Sequence, residues 1–364
     1  MKNITRSFSK KVYKKIIKPL LFKVSPDTVH AQIISLGALL QQHKIIRKLL
    51  AISWAEHDII YAKTVAGVRF LNPIGISAGF DKNGKLVPLL ESIGCGYVTV
   101  GSVTALPRTG NPKPWFHRLP KTKSLVVHAG MPNDGVEKVV KNLEQNKRHS
   151  TGAVPVIFSV AVVARSAAHT PEDAIRDALE TIKRVEQDKG LVDILEINIS
   201  CPNIMYEQPF TTPEVFETLL IAIDKAAPKL PIFIKMPSTR WEKLEALLDV
   251  ANKYPVVKGV SIANLTSRRD ITIKDDFDNT IHGGLSGRPC LSRSNELIQR
   301  ARSKYKNRFA IIGIGGVFGY EDAKAKIDAG ADLVGLITGM IFEGPQLIGD
   351  INYHLFKSHK KSFK

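Results

Sequence analysis

From about residue 64 onward the chain alternates short apolar runs with stretches whose apolar residues recur at the helical spacing. The runs at 74–78 (IGISA), 97–101 (YVTVG), 156–160 (VIFSV), 194–199 (ILEINI), 231–235 (PIFIK), 258–263 (KGVSIA), 309–313 (FAIIG) and 333–337 (LVGLI) predict eight strands. Helices are predicted between most of them, among others at 171–187, 213–226, 294–304 and 320–329. Eight strand-and-helix units in roughly 290 residues predict an α/β fold, a (β/α)8 TIM barrel. The alternative is an open doubly wound sheet, but no Gly-rich dinucleotide fingerprint follows the first strand. There is no low-complexity tract and no short repeat.

One strand ends unusually. Ile194-Leu195-Glu196-Ile197-Asn198-Ile199 continues into Ser200-Cys201-Pro202-Asn203. Pro202 lacks a backbone donor and forces the preceding residue extended, so the strand stops there. Two carboxamides and a thiol gather at that point. In a barrel, this is the end of the strands where chemistry is done.

Ahead of the barrel pattern lies a different one. In RSFSKKVYKKIIKPLLFKV (6–24), Phe8, Val12, Ile16, Leu20 and Val24 stand four apart, with lysines between them. This predicts a basic amphipathic helix, bent or broken at Pro19. Lysines interrupt the apolar run well short of the ~20 residues that span a membrane, so the helix is expected to lie on a membrane surface. A second helix is predicted from Ser25-Pro26-Asp27 through His30 to Leu40, the two forming an apolar-lined hood. The expected division is a helical extension at 1–60, a barrel at 61–356 and a basic tail at 357–364.

Composition sharpens this picture at the ends of the chain. The 364 residues are 44% hydrophobic and 24% charged, as in ordinary globular proteins, so a large core is available. The net charge of +18 is uneven: residues 1–24 hold eight Lys/Arg and residues 357–364 four, with no acid in either segment. The rest carries 40 basic against 34 acidic residues. Basic ends suit an anionic membrane surface, expected to be bound through residues 1–24; a mildly basic body suits an anionic small ligand. No interleaved aromatics or nucleic-acid module accompany the charge, so no nucleic acid partner is expected. Cys95, Cys201 and Cys290 fit neither a metal site nor a disulfide framework, and no metal is expected.

Each predicted strand runs out into polar residues or glycine. The first gives Ala78-Gly79-Phe80-Asp81-Lys82, the second Gly101-Ser102, the third Ser159 and the fourth Asn198 and Cys201. The fifth ends in Lys235, the sixth leads to Asn264, the seventh opens into Gly313-Ile314-Gly315-Gly316 and the eighth into Thr338-Gly339. Such a ring suits a cofactor lying across the barrel mouth. The glycines after strands seven and eight suit its phosphate, because small residues let the backbone N–H groups approach closely. Lys82 and Lys235 would place positive charge beside a flavin reduced to its anion. The Cys201 thiol, with an ordinary pKa of ~8.5, suits a general base.

These residues resemble the dihydroorotate dehydrogenase family. The motifs are NPIGISAGFDKNG (72–84), GSVT and GNPKP (101–104, 110–114), INISCPN (197–203), FIKMP (233–237), HGGLSGRP (282–289), IIGIGGV (311–317) and ITGMIFEGP (337–345). They run collinearly over about residues 25–350. The resemblance implies an FMN-containing barrel that oxidises dihydroorotate to orotate in pyrimidine synthesis. It implies that FMN is held by Ala78, Gly79, Lys82, Ser102, Ser159, Asn198, Lys235, Gly287, Gly316 and Thr338. It implies that orotate is held by Lys82, Asn198, Asn203, Asn264 and the backbone around Gly130 and Met131. Cys201 falls at the base that removes the C5 proton while the C6 hydride passes to the flavin.

The N-terminal helices, with His30, resemble the branch that is peripheral to the cytoplasmic side of the inner membrane and passes electrons to a quinone. Cys201 and AGMPNDG (129–135) resemble the soluble branches. Val127 stands where the family usually has Asn, Leu265 where Thr or Ser follows Asn264, and Ser159 where Asn lies beside the flavin. Trp115 and Ile337 stand where the quinone branch usually has Arg and Tyr. These departures leave one alternative, an FMN oxidoreductase acting on a related dihydropyrimidine; the basic ends leave another, a non-catalytic membrane-binding barrel.

Overall fold

The computed structural model describes residues 2–56, 61–165, 170–200, 209–267, 271–278 and 280–362. The chain opens with α1 (Lys2–Val12), a π-helical turn (Tyr13–Ile17), α2 (Lys18–Phe22), α3 (Pro26–Leu40) and α4 (Lys44–Ser53). A hairpin of β1 (Lys63–Val65) and β2 (Val68–Phe70) follows. Next come β3 (Ile74–Asp81), α5 (Val87–Ser92), β4 (Val98–Val103), β5 (Phe116–Leu119), β6 (Ser124–Val127) and α6 (Val136–Lys147). After these lie β7 (Val156–Ala161), α7 (Pro171–Gln187), β8 (Ile194–Asn198), α8 (Pro213–Ala226), β9 (Ile232–Lys235), α9 (Trp241–Asn252) and β10 (Val257–Ile262). The chain ends with β11 (Gly284–Gly287), α10 (Leu291–Tyr305), β12 (Ala310–Ile314), α11 (Tyr320–Asp328), β13 (Leu333–Leu336), α12 (Thr338–Glu343) and α13 (Leu347–Ser362).

Eight parallel strands close into a barrel in the order β10-β12-β13-β3-β4-β7-β8-β9. They are the eight predicted strands, with ends shifted by up to three residues. The shifts are what hydrogen bonding adds to an apolar pattern: β3, for instance, continues through Gly79-Phe80-Asp81 because Asp81 still pairs with Val100. The first inward residues of the strands, Tyr97, Ile157, Ile194, Phe233 and Leu333, pack with Val65 and Phe70 of the hairpin. The hairpin thus plugs the amino ends of the strands. The carboxyl ends are left to the loops, where barrel enzymes build their sites.

Two features lie outside the eightfold pattern. β5, β6 and β11 form a small antiparallel sheet, with Val127 opposite both Phe116 and Gly284. Its own core is Leu119, Val126 and Leu285. This sheet is assembled from two insertions far apart in the chain, so no local periodicity announces it.

The second is the helical extension. The Ser25 hydroxyl accepts from Thr28 N–H at 3.2 Å, and Pro26 takes the first turn of α3, as the cap signal implied. The expected break at Pro19 is absent. The chain stays helical through Pro19, and the irregularity lies one turn upstream, where Lys18 N–H donates to Tyr13 O across a wider turn. Proline lacks the N–H that would have closed the next bond, and a π turn spaces the helix around it.

The extension is fastened through polar contacts. Arg6 of α1 is fully buried; it bonds Glu56 at 2.8 Å, faces Asp350 at 3.4 Å and stacks on Tyr353. Trp54 donates to Ser9 at 3.1 Å, Tyr13 donates to Ile341 O at 2.6 Å, and Lys14 pairs with Glu343 at 2.5 Å. The inner side of the hood is aromatic: Phe22 meets Phe342 edge-on at 5.5 Å, and His30 lies between Phe80 and Phe116. The amphipathic stripe faces outward instead. Ile4, Phe8, Ile16, Leu20, Ile33, Leu36, Leu39, Ile45, Leu49 and Ile52 are all exposed. Among the described residues no helix is long and apolar enough to cross a membrane.

Candidate active site

The polar residues at the strand ends join into one hydrogen-bonded chain. Asn198, buried at the end of β8, donates through Nδ2 to Ser102 Oγ of β4 at 2.8 Å. Ser102 Oγ lies 2.8 Å from Ser159 Oγ of β7. On the other side, Asn198 Oδ1 accepts from Ser200 N–H at 3.3 Å. Asn264, past the end of β10, donates to Ser200 O at 2.7 Å and lies 3.1 Å from its Oγ. Four strand ends are thereby tied together, with each carboxamide held in one orientation by its partners. Asn264 Oδ1 also accepts from the N–H of Leu265 at 2.9 Å, so the residue after it contributes backbone rather than a hydroxyl.

Two lysines flank this chain. Lys82 is held by Gly79 O at 3.0 Å, with its ammonium 5.1 Å from the Phe116 ring centre. Burial lowers its pKa to about 8, against the opposing pull of Asp27 and Asp81. Asp81 fixes the turn that carries Lys82, accepting from Lys85 N–H at 2.8 Å and Leu86 N–H at 2.7 Å. His30 of α3 reaches the same place and donates through Nε2 to Phe80 O at 2.9 Å. Burial and the charge on Lys82 push its pKa down to about 4, so this imidazole is neutral. Lys235 is only 5% exposed and has no hydrogen-bond partner among the described residues. It lines an open cleft at the barrel mouth, where a buried ammonium calls for an anion or a strong acceptor.

That cleft runs from Lys235 and Asn264 past Ser77, Ala78 and Ile337 to Gly287, Gly315, Gly316 and Thr338. The glycine end is backbone-lined because side chains have no room there. A Cβ on Gly316, whose φ is +76°, would lie 2.5 Å from Leu291 Cβ. Thr338 Oγ1 lies 2.9 Å from Ser286 Oγ, fixing the corner between β11 and α12. An unpartnered cation at one end and exposed backbone at the other suit an elongated ligand with a polar ring and a terminal phosphate. The residues expected to hold FMN therefore fit such a group in shape and charge.

The remaining expected residues are distributed around the mouth. Gly130 and Met131 both take positive φ, +66° and +60°, with Gly130 O accepting from Arg108 Nε at 3.0 Å. Met131 packs on Ala161 and Val163 beyond the end of β7. Val127 ends β6 on the small sheet and is half-buried. Trp115 gives its backbone N–H to Asp27 at 3.2 Å and its indole N–H to Asn111 O at 2.7 Å. Cys201 and Asn203 lie outside the described residues. Ser200 and Ser286 escape a reading of the sequence, although both stand inside quoted motifs. Their hydroxyls link strand ends, a function that spacing cannot reveal.

Known proteins share this sequence and architecture. The family model described as dihydroorotate dehydrogenase matches residues 60–358. A Delftia acidovorans protein named dihydroorotate dehydrogenase (quinone) is 31% identical over 92% of this chain and 95% of its own. A protein of the same name from Christiangramia forsetii is 33% identical over 95% of this chain and 99% of its own. Among solved structures, the ligand-free DHODH of Eimeria tenella superposes with a TM-score of 0.81 at 24% identity, covering 93% of this chain and 96% of that one. Fold, motif order and full-length similarity agree: the chain belongs to the dihydroorotate dehydrogenase family and is an oxidoreductase.

Proposed function

We propose that this protein oxidises dihydroorotate to orotate on FMN bound at the barrel mouth and passes the electrons to a membrane quinone. The observation that carries this reading is the hydrogen-bonded chain Ser159–Ser102–Asn198–Ser200–Asn264, buried or half-buried along its length, with the half-buried Lys82 and the buried Lys235 beside it. Lys235 and Asn198 would face the polar edge of the flavin ring, and Gly287, Gly316 and Thr338 its phosphate. Bound FMN would supply a hydride acceptor for C6 of the substrate. Lys82, Asn198, Asn264 and Asn203 would orient the ring and neutralise its carboxylate. Cys201 would take the C5 proton, a role that needs only a thiolate within reach of that atom.

The hood supports the choice of acceptor. A neutral His30 beside Phe116, and Phe22 against Phe342, line the inner side of the hood with rings, which suits contact with an aromatic acceptor such as a quinone. The outward stripe of α1–α4, with Lys11, Lys15 and Lys23 exposed beside it, suits peripheral binding to an anionic membrane surface. The division into extension, barrel and basic tail is part of the same reading.

The test is anaerobic titration of the purified yellow protein with dihydroorotate. The flavin band should bleach, and a quinone analogue should restore it. A protein that carries no FMN and takes up none would refute the reading. A second reading, a related dihydropyrimidine as substrate, is favoured by the apolar Val127 and Leu265. It predicts that another cyclic amide bleaches the band while dihydroorotate does not, and that Val127→Asn creates orotate binding.

A further inference from the structure

We propose that Lys326, outside the mouth, is a positioning residue that supplies a counter-charge for the phosphate end of the ligand bound there; this rests on the reading of the mouth as an FMN site. Lys326 belongs to α11 and is completely buried. Its ammonium donates to Ser294 Oγ at 2.6 Å and to Asn295 Oδ1 at 2.9 Å. That leaves one of three donors over. Ser294 in turn donates to Ile314 O at 2.6 Å, the carbonyl directly before Gly315 and Gly316. A lysine on an outer helix is therefore tied through one hydroxyl to the turn that borders the cleft.

The surroundings hold this turn tightly. A Cβ on Gly313 would meet Lys326 Cδ at 3.2 Å, and one on Gly315 would meet Cys290 Cβ at 3.0 Å. The first residue of α10, Leu291, presses on Gly316, so the amino end of a four-turn helix also faces this corner.

What is missing is a compensating anion. No carboxylate among the described residues lies within ion-pair distance of Lys326. The nearby Asp322 is engaged elsewhere, by Arg288 at 2.6 Å and Phe318 N–H at 2.8 Å. Burial raises the Cys290 pKa to about 11, so its thiol is neutral and offers no charge. Burial also lowers the Lys326 pKa to about 7, with Asp322 pulling the other way. A buried ammonium without a counter-ion is costly, and a phosphate bound beyond the Gly315-Gly316 turn would compensate it. Helix α11 thus appends a charge to a corner otherwise made of backbone.

The test compares FMN with riboflavin, which lacks the phosphate. The full-length protein, stripped of flavin, is titrated with each and followed by fluorescence quenching. Lys326→Met should weaken FMN binding by about tenfold, equivalent to about 1.4 kcal/mol, and leave riboflavin binding nearly unchanged. Ser294→Ala, which keeps the charge and cuts the tether, should give a smaller loss with the same preference. It also decides the matter should the methionine variant fail to fold. Equal losses for both ligands, or none for either, would reduce Lys326 to a packing residue and overturn the inference while the FMN reading stands. A parent protein that binds neither flavin would overturn both.

Discussion

The barrel mouth and the N-terminal extension invert the usual burial rule in opposite directions. At the mouth, Ser159, Asn198, Ser200 and Lys235 are polar and lie inside, with Ser102 and Lys82 half-buried beside them. On the extension, Phe8, Leu20, Leu36, Ile45 and Leu49 are apolar and lie outside, while Arg6 is charged and lies inside. Each inversion costs free energy in isolation. Buried polar groups persist only when bonded, and a contiguous exposed apolar face marks contact with something apolar. The first inversion fits a ligand taken in from solvent; the second fits a surface on which the protein lies. On the proposed reading one chain would face an anionic ligand at the barrel mouth and lipid on the hood, with His30 and Phe22 on the inner side of the hood between them.

The largest expected effect lies at the mouth. Cys201→Ala should slow anaerobic flavin reduction by dihydroorotate by about 10²–10⁴-fold, the range of a lost general base, with FMN content unchanged. Parental rates in that variant would remove the thiol from the chemistry and leave the mouth as a binding site only. Next is the charge on Lys82. With its pKa lowered to about 8 by burial, the free site loses this cation as pH rises through that value. Orotate affinity should be flat below about pH 8 and fall roughly tenfold per pH unit above it. Lys82→Met should abolish the slope. A slope that survives in Lys82→Met would place the titrating group elsewhere.

The two regions differed in how far the chain alone disclosed them. The barrel was legible because each strand is covered on both faces and reads as a continuous apolar run, so Ile194–Asn198 or Ile232–Lys235 could be placed almost to the residue. The polar ring was legible because the ends of those strands were. The hydroxyl links through Ser200 and Ser286, and the small sheet that joins 116–127 to 284–287, were not; they exist only where distant segments meet. In the extension the four-residue spacing gave the helix but not which side faced the barrel. Arg6, Ser9 and Tyr13 won the inward face because specific partners, Glu56, Trp54 and Ile341, await them. At Pro19 the chain does not break, because a π turn upstream takes up what the missing N–H would have opened.

How firmly the extension is fastened is the third point on which the comparison can be sharpened. Arg6→Met removes the contacts to Glu56 and Asp350, both of which retain some access to water. The loss should be about 1–3 kcal/mol, the scale of charged hydrogen bonds. It should appear as early proteolysis within residues 1–24 and a lower Tm, with flavin reduction by dihydroorotate unaltered. A fall in flavin reduction would mean that the extension helps to shape the mouth and that the two regions are one device.

The smallest expected effects separate the two forces by which the outer face would bind a membrane. Ile45→Ser removes one side chain that is 76% exposed. If that side chain enters lipid only partway, binding to anionic vesicles should weaken about fivefold, equivalent to about 1 kcal/mol, and do so equally at low and high salt. Lys15→Gln removes one exposed charge worth a similar ~1 kcal/mol near an anionic surface, and that loss should fade as salt screens it. Co-sedimentation of both variants at two ionic strengths distinguishes the contributions. If only the lysine variant responds, the apolar face does not enter lipid, and its exposure needs another partner. If only the isoleucine variant responds, the positive charge of residues 1–24 is incidental to membrane binding. If both respond as stated, the helices whose inner side carries Phe22 and His30 also lie against the bilayer, from which a lipid-soluble electron acceptor would enter.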